Sequence, residues 1–126
     1  MELFKLLDVD FKHQDERGEL VQLVHQGFSQ VNVLKTAKGV QRGGHYHKTV
    51  REAFYVVSGS VEVSFQSVQD NSVCKKLFSE GDFFLIPPWV AHSMSFPEFC
   101  IMVAMYDKSV VAADGTKDIY SMEVQA

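Results

Sequence analysis

Valine, isoleucine, phenylalanine and tyrosine recur along the chain in short runs separated by polar turn residues. The runs are QVNVLKTA (30–37), EAFYVVSG (52–59), SVEVSFQSV (60–68), DFFLIP (82–87) and FCIMVAMY (99–106). β-Branched and aromatic side chains suit a pleated, half-buried surface, so each run predicts a strand. Alternation is clearest in SVEVSF, where Val61, Val63 and Phe65 share one face and Glu62 and Ser64 the other. Turn signals fall between the runs: Ser58-Gly59, Asp70-Asn71, Glu80-Gly81-Asp82 and Pro87-Pro88. No segment keeps a helical apolar period over two capped turns. The pattern predicts an all-β fold, a small β-sandwich or jelly-roll β-barrel. Phe83–Ile86 and Phe99–Val103 are apolar without alternation, which predicts strands buried on both faces. In so small a barrel that burial calls for a second subunit, so we expect a homodimer formed through sheet packing. Past Asp107 the signal weakens. AADGTK (112–117) reads as an exposed turn and DIYSMEV (118–124) as a last strand anchored by Ile119 and Tyr120.

Length and charge narrow the classes. A chain of 126 residues is expected to form one domain, residues 1–126, without internal repeats or linkers. Its 46% hydrophobic and 22% charged content is ordinary for a globular core. Cys74 and Cys100 are its only cysteines, too few for a disulfide scaffold, and the start of the chain does not read as a signal peptide. No apolar run approaches the ~20 residues of a membrane-spanning helix. A cytoplasmic location follows as the expectation. The formal charge of −4, with no basic run, argues against nucleic acid as a partner. A phosphorylated small ligand needs only two or three placed cations and stays compatible.

The chemistry concentrates in two stretches. GVQRGGHYHKTVREAFYVVSG (39–59) holds His45, His47 and Glu52, and GDFFLIPPWVAH (81–92) holds His92. Two histidines two apart on a strand point to one face, so both can reach a common point. Imidazole and carboxylate are ligands for zinc, iron, nickel or manganese. We therefore expect a divalent metal, zinc first, held by His45, His47, Glu52 and His92. Metal-free acid–base work by the same histidines remains the alternative. Tyr46 alternates with the histidines and should face away, whereas Tyr106, ending an apolar strand, is placed to donate a proton. Lys48 can reach phosphate or simply be solvated. Trp89 can stack on a sugar or base or simply cover the barrel.

The two stretches together resemble the two-part signature of the cupins. Two positions depart: Trp89 stands where the second motif usually has glycine, and Phe96 where an asparagine is common. A narrower resemblance starts upstream. Asp-x-Arg-Gly at 15–18, followed by Gly-Val-x-Arg-Gly-x-His-Tyr at 39–46, is similar to the dTDP-4-dehydrorhamnose 3,5-epimerases. That likeness implies that Arg17 and Arg42 hold a sugar-nucleotide diphosphate and that His45 removes a proton alpha to a 4-keto group. RGGHYHK, GSVEV and IPPW resemble the dTDP-sugar 3,4-ketoisomerases, which have glutamine where Glu52 stands. The cage with its glutamate, and the ending KDIYSMEV, are similar to the C-terminal cupin domain of capsule-forming UDP-sugar reductases, in which zinc sits in the cage.

All three resemblances imply a 4-keto nucleotide sugar, dTDP- or UDP-linked, in cell-surface polysaccharide synthesis. The implied reaction is epimerisation or keto migration through proton removal. Catalytic roles would fall to His45, His47 and Tyr106, and substrate binding to Arg17, Arg42, Lys48 and Trp89. Two readings stand beside this one: a metal-binding module that senses a ligand without turnover, and a metal-dependent dioxygenase using the same cage. Neither needs the two arginine motifs.

Overall fold

The computed structural model describes residues 2–125. Its elements are strands, and their ladders are antiparallel throughout. One five-stranded sheet runs in the order β1 (Lys5–Leu6), β9 (Phe83–Ile86), β6 (Glu52–Ser58), β11 (Cys100–Tyr106), β4 (Gln30–Thr36). The other runs β12 (Tyr120–Ser121), β5 (Gln41–Tyr46), β10 (Val90–Ser95), β7 (Ser60–Ser67), β8 (Val73–Ser79). A separate hairpin is formed by β2 (Phe11–Asp15) and β3 (Gly18–Gln22). The expected jelly-roll cupin barrel is what these two packed sheets form. No described helix is long and apolar enough to cross a membrane.

The alternation read from the sequence decides what lies between the sheets. Val61, Val63 and Phe65 are fully buried and meet Phe54, Phe84 and Met102 from the opposite sheet in one core cluster. Phe78 and Phe84 stack at 3.8 Å between ring centres. The turns fall where the composition placed them: Gly59 and Gly81 adopt φ of 82° and 90°, and Asn71 one of 62°.

Phe83–Ile86 is buried on both faces as expected, but a partner subunit is not what covers it. Phe84 and Ile86 face the core, while Phe83 joins Ala53 and Met105 in a second cluster on the outer side of the same sheet. Leu7, Val9, Leu23, Val24 and Phe28 of the chain's own N-terminal region pack over that cluster. Phe99 does not share this burial; it lies before β11 and is exposed. The outer face is left bare at its β4 edge, where Val31 and Val33 are 60% and 63% exposed.

The last strand is shorter than the sequence suggests. Only Tyr120 and Ser121 pair, with Tyr46 and His45 of β5. Residues 112–117 form the expected exposed turn, closed by the Ala112 carbonyl accepting from Gly115 and the Ala112 amide donating to Thr116.

Candidate functional site

A cavity of about 400 Å³ is lined from both sheets, and the ladders explain which side chains enter it. His45 of β5 is the register partner of His92 of β10, and Glu52 of β6 is that of Tyr106 of β11. One sheet thus supplies the imidazoles and the other the carboxylate and the phenol. His47 follows β5 directly and, two residues from His45, points to the same side. Tyr46 points the other way, onto Tyr120 and Trp89.

β10 approaches β5 closely at this point, and the ladder shifts register between His92 and Ser93. Gly43 makes the approach possible. Its φ is 98°, and a Cβ there would lie 2.7 Å from the carbonyl oxygen of His92.

The polar atoms converge. The ring centre of His45 lies 4.7 Å from that of His92 and 5.3 Å from that of His47. Glu52 Oε1 is 3.3 Å from His92 Nε2 and 3.5 Å from His47 Nε2. One donor atom each from His45, His47 and Glu52 falls within 4.8 Å of the others. His92 stands beside that set through its contact with Glu52.

His47, Glu52 and His92 are 4%, 3% and 2% exposed, so water does not satisfy them. His47 Nε2, Glu52 Oε1 and His92 Nδ1 have no hydrogen-bond partner. A buried unpartnered polar atom costs roughly 1–3 kcal/mol. The Nδ1 atom of His47 lies 2.5 Å from the carbonyl oxygen of Asp118. A carbonyl only accepts, so Nδ1 carries a hydrogen and Nε2 is the atom turned toward Glu52. The orphaned His47 Nε2 and Glu52 Oε1 lie 3.5 Å apart within the His45–His47–Glu52 set, a donor group that fits a divalent cation.

Burial and mutual repulsion split the titration of the cage. Burial, with His92 close by, brings the His45 pKa down to about 4, so its ring is neutral at pH 7. Burial likewise lowers His92. In His47 burial also opposes charge, but Glu52 and the Asp118 carbonyl outweigh it and the pKa is raised. Glu52 is buried too, yet the surrounding imidazoles keep its pKa below the ordinary value. Burial and Glu52 push the Tyr106 phenol well up, so it holds its proton at neutral pH.

The structure brings His45, His47, Glu52, His92, Tyr106 and Arg42 to one cavity. Arg42 donates from Nε to the Thr36 hydroxyl at 2.8 Å. Three expected binding residues do not line it. Arg17 sits at the turn of the β2–β3 hairpin, 80% exposed, its Nη2 2.6 Å from Asp15 Oδ2. Lys48 places its Nζ 4.1 Å from the centre of the Tyr120 ring and 5.4 Å from that of Trp89. Trp89 adopts φ of 65°, which explains the glycine usual there, and its amide donates to the His47 carbonyl at 2.8 Å. Lys48 and Trp89 therefore form an aromatic cluster outside the cavity.

Other cavity walls went unread in the sequence. Leu34, Phe54 and Met94 line it from strands, and Val110, Val111 and Ile119 from the C-terminal region. These are ordinary core-type residues with no local signal. Asp118 had one, as the acidic residue opening the DIYSMEV run (118–124).

The model of the polysaccharide biosynthesis C-terminal domain family matches residues 13–119, most of the chain. The protein belongs to this family. A UDP-2-acetamido-2,6-beta-L-arabino-hexul-4-ose reductase of Pseudomonas aeruginosa is 35% identical over 57 residues, 44% of this chain but only 15% of the reductase. Three solved structures share the fold. QdtA, a sugar 3,4-ketoisomerase from Thermoanaerobacterium thermosaccharolyticum in complex with TDP, superposes with a TM-score of 0.75 at 18% identity over 94% of this chain and 87% of its own. The dTDP-4-dehydrorhamnose 3,5-epimerase of Sulfolobus tokodaii gives 0.73 at 18%, covering 95% and 82%. The capsular polysaccharide assembling protein CapF of Staphylococcus aureus gives 0.70 at 24%, covering 94% of this chain and 33% of CapF. This family member thus corresponds to a small part of the reductase and a third of CapF.

Proposed function

We propose that this protein isomerises a 4-keto nucleotide sugar, dTDP- or UDP-linked, by removing a proton alpha to the ketone and returning one. Delivery to the other face of that carbon gives an epimer; delivery to the neighbouring carbon moves the ketone. The convergence of His45, His47, Glu52, His92 and Tyr106 on one cavity carries this reading. Its support is threefold: a neutral imidazole, a phenol that keeps its proton, and membership of a polysaccharide-biosynthesis family whose structural relatives include a TDP-sugar ketoisomerase.

Without metal, His45 takes the proton through its unprotonated nitrogen and Tyr106 supplies one from the opposite sheet. Negative charge developing on the keto oxygen needs a cation or donor beside it, and His47 is held toward its protonated form for that task. Arg42 is the cavity's guanidinium for a phosphate oxygen. A divalent cation, zinc first, would be held by His45, His47 and Glu52 with His92 beside them. When bound, it would polarise the keto oxygen as a Lewis acid. With His45 taken up as a ligand, Tyr106 keeps its proton and could donate but not remove one, so proton removal by His45 belongs to the metal-free cage.

The reading includes a homodimer that covers the bare β4 edge at Val31 and Val33. Light scattering gives the mass directly. One observation favours a second reading. Arg17 stands away from the cavity, so only one of the two expected diphosphate contacts is in place. A metal-holding module that binds a sugar without turnover needs no such clamp.

The same experiment separates the two. The purified protein, its metal content measured, is incubated with a 4-keto nucleotide sugar in heavy water. Deuterium at a carbon next to the ketone, lost in His45→Gln, supports isomerisation. Binding without deuterium uptake refutes it.

A further inference from the structure

The C-terminal strap meets the cage through one residue that the chemistry above does not use. Asp118 precedes β12, and both ends of the residue are engaged. Its carbonyl oxygen accepts from His47 Nδ1. Its carboxylate accepts three successive amides: Lys48 at 2.8 Å from Oδ1, and Thr49 at 2.9 Å and Val50 at 2.8 Å from Oδ2. The Thr49 hydroxyl adds a fourth bond at 3.0 Å. The carboxylate thus ties down residues 48–50 of the segment between His47 and Glu52, Arg51 being held by Asp107, and the carbonyl of Asp118 fixes the His47 ring.

The other anchors of the strap at this point are backbone contacts: the Asp118 amide donates to the Val110 carbonyl at 2.9 Å, and Lys117 bridges to Val111. β12 pairs through two residues, and the Met122 amide donates to the Gly44 carbonyl at 2.9 Å. Two strand pairs are weak anchorage, whereas charge-assisted bonds to consecutive amides are strong. The next residue, Ile119, lines the cavity. Docking of the strap therefore closes a cavity wall and aims the His47 ring in a single event.

We propose that Asp118 is a positioning residue: its carboxylate docks the C-terminal strap so that its carbonyl locks His47 as the Nδ1–H tautomer, with Nε2 presented to Glu52. The inference rests on the reading above only in taking the His45–His47–Glu52 set as the reactive centre. A ring free to flip presents either nitrogen and loses the preorientation that a ligand or proton donor requires.

The test reads the ring directly. Histidine side-chain 15N NMR of the metal-free protein, followed upward in pH until His47 has lost its second proton, is expected to show the neutral ring in one fixed tautomer, protonated at Nδ1. Asp118→Ala is expected to give averaged ring nitrogens for His47 and a 10–100-fold loss of Co²⁺ affinity by titration, the range typical when the hydrogen-bond partner of a metal-binding histidine is removed. Should Asp118→Ala not fold, Asp118→Asn keeps the side-chain size, withdraws one acceptor and is read the same way. A folded variant that keeps a single Nδ1–H tautomer and wild-type Co²⁺ affinity overturns the proposal. Because the ring spectrum needs neither substrate nor turnover, it can fail while isomerisation stands, and the reverse.

Discussion

Two glycines, one just before β5 and one within it, separate backbone strain from steric overlap. Gly39, in the turn before β5, has φ of 84° and nothing within 4 Å of the point where a methyl group would sit. Gly43, within β5, has φ of 98°, and a methyl group there would meet His92 O at 2.7 Å and Ser93 Cα at 3.0 Å. Alanine at either site is forced into the left-handed region, at about 1–2 kcal/mol. Alanine at Gly43 must also displace a backbone carbonyl by several tenths of an ångström. Overpacking of a tight site costs about 1–3 kcal/mol more. Gly39→Ala is therefore expected to lose about 1–2 kcal/mol and Gly43→Ala about 2–5 kcal/mol.

The displaced carbonyl belongs to His92, so the two variants should differ in function as well. Urea unfolding gives the stabilities, and zinc titration of the folded variants reports the cage. Gly39→Ala should bind as the wild type does, and Gly43→Ala more weakly by tenfold or more. Equal stabilities for the two variants, within about 0.5 kcal/mol, would show that β10 does not need the missing side chain. The account of how His92 is brought to His45 would then be wrong.

Trp89→Ala is expected to destabilise more than Trp89→Gly, by about 1 kcal/mol in urea unfolding, because both lose the ring contact with Tyr46 but only glycine relieves the left-handed backbone. Tyr106→Phe should cut deuterium uptake into a 4-keto sugar at least tenfold while metal binding persists; unchanged uptake would remove Tyr106 from the chemistry. The Asp118 carboxyl is partly buried, which opposes its charge, but the Lys48, Thr49 and Val50 amides hold its pKa down at about 2. A depressed carboxylate pKa stabilises above the ordinary value of 3.8, and the gain disappears as pH falls toward 2. Asp118→Asn should thus cost about 1–2 kcal/mol at pH 7, solvent screening allowed for, and the gap to wild type should close between about pH 4 and pH 2 in thermal unfolding.

The strands legible in the sequence were those whose two faces differ or are both apolar. Val61, Val63 and Phe65 announce β7 because Glu62 and Ser64 alternate with them, and all three are fully buried. β8 and β10 carried no comparable pattern. β8 is a sheet edge with Lys75 and Lys76 on it, and β10 mixes His92, Ser93 and Ser95 with its apolar residues. The hairpin of β2 and β3 is largely exposed on both faces, so no periodicity marks it. His45 and His47 were readable because two-residue spacing fixes the face of a strand, and Glu52 and His92 because each sits at a set distance within its glycine-led stretch. Arg17, Lys48 and Trp89 were not, since spacing says nothing of where a turn residue points. Local partners decided them: Asp15 for Arg17, and Tyr46 and Tyr120 for the Lys48–Trp89 pair.

The metal and acid–base readings come from one electrostatic demand. Glu52 is buried and held ionised, and a buried carboxylate requires a compensating positive charge. His45 and His92 are driven neutral by their surroundings and do not supply it. Lys48, the nearest lysine in sequence, turns outward onto Tyr120. Two candidates remain for the space between His47 Nε2 and Glu52 Oε1: a proton on His47, or a cation shared with His45. Both place positive charge beside the same orphaned atoms, which is where the proposed isomerisation needs it, next to the keto oxygen. On the proposed function, the arrangement that would suit the cage to a metal is therefore the one that would suit it to acid–base work, and the glutamate, more than any histidine, is the residue that forces the choice.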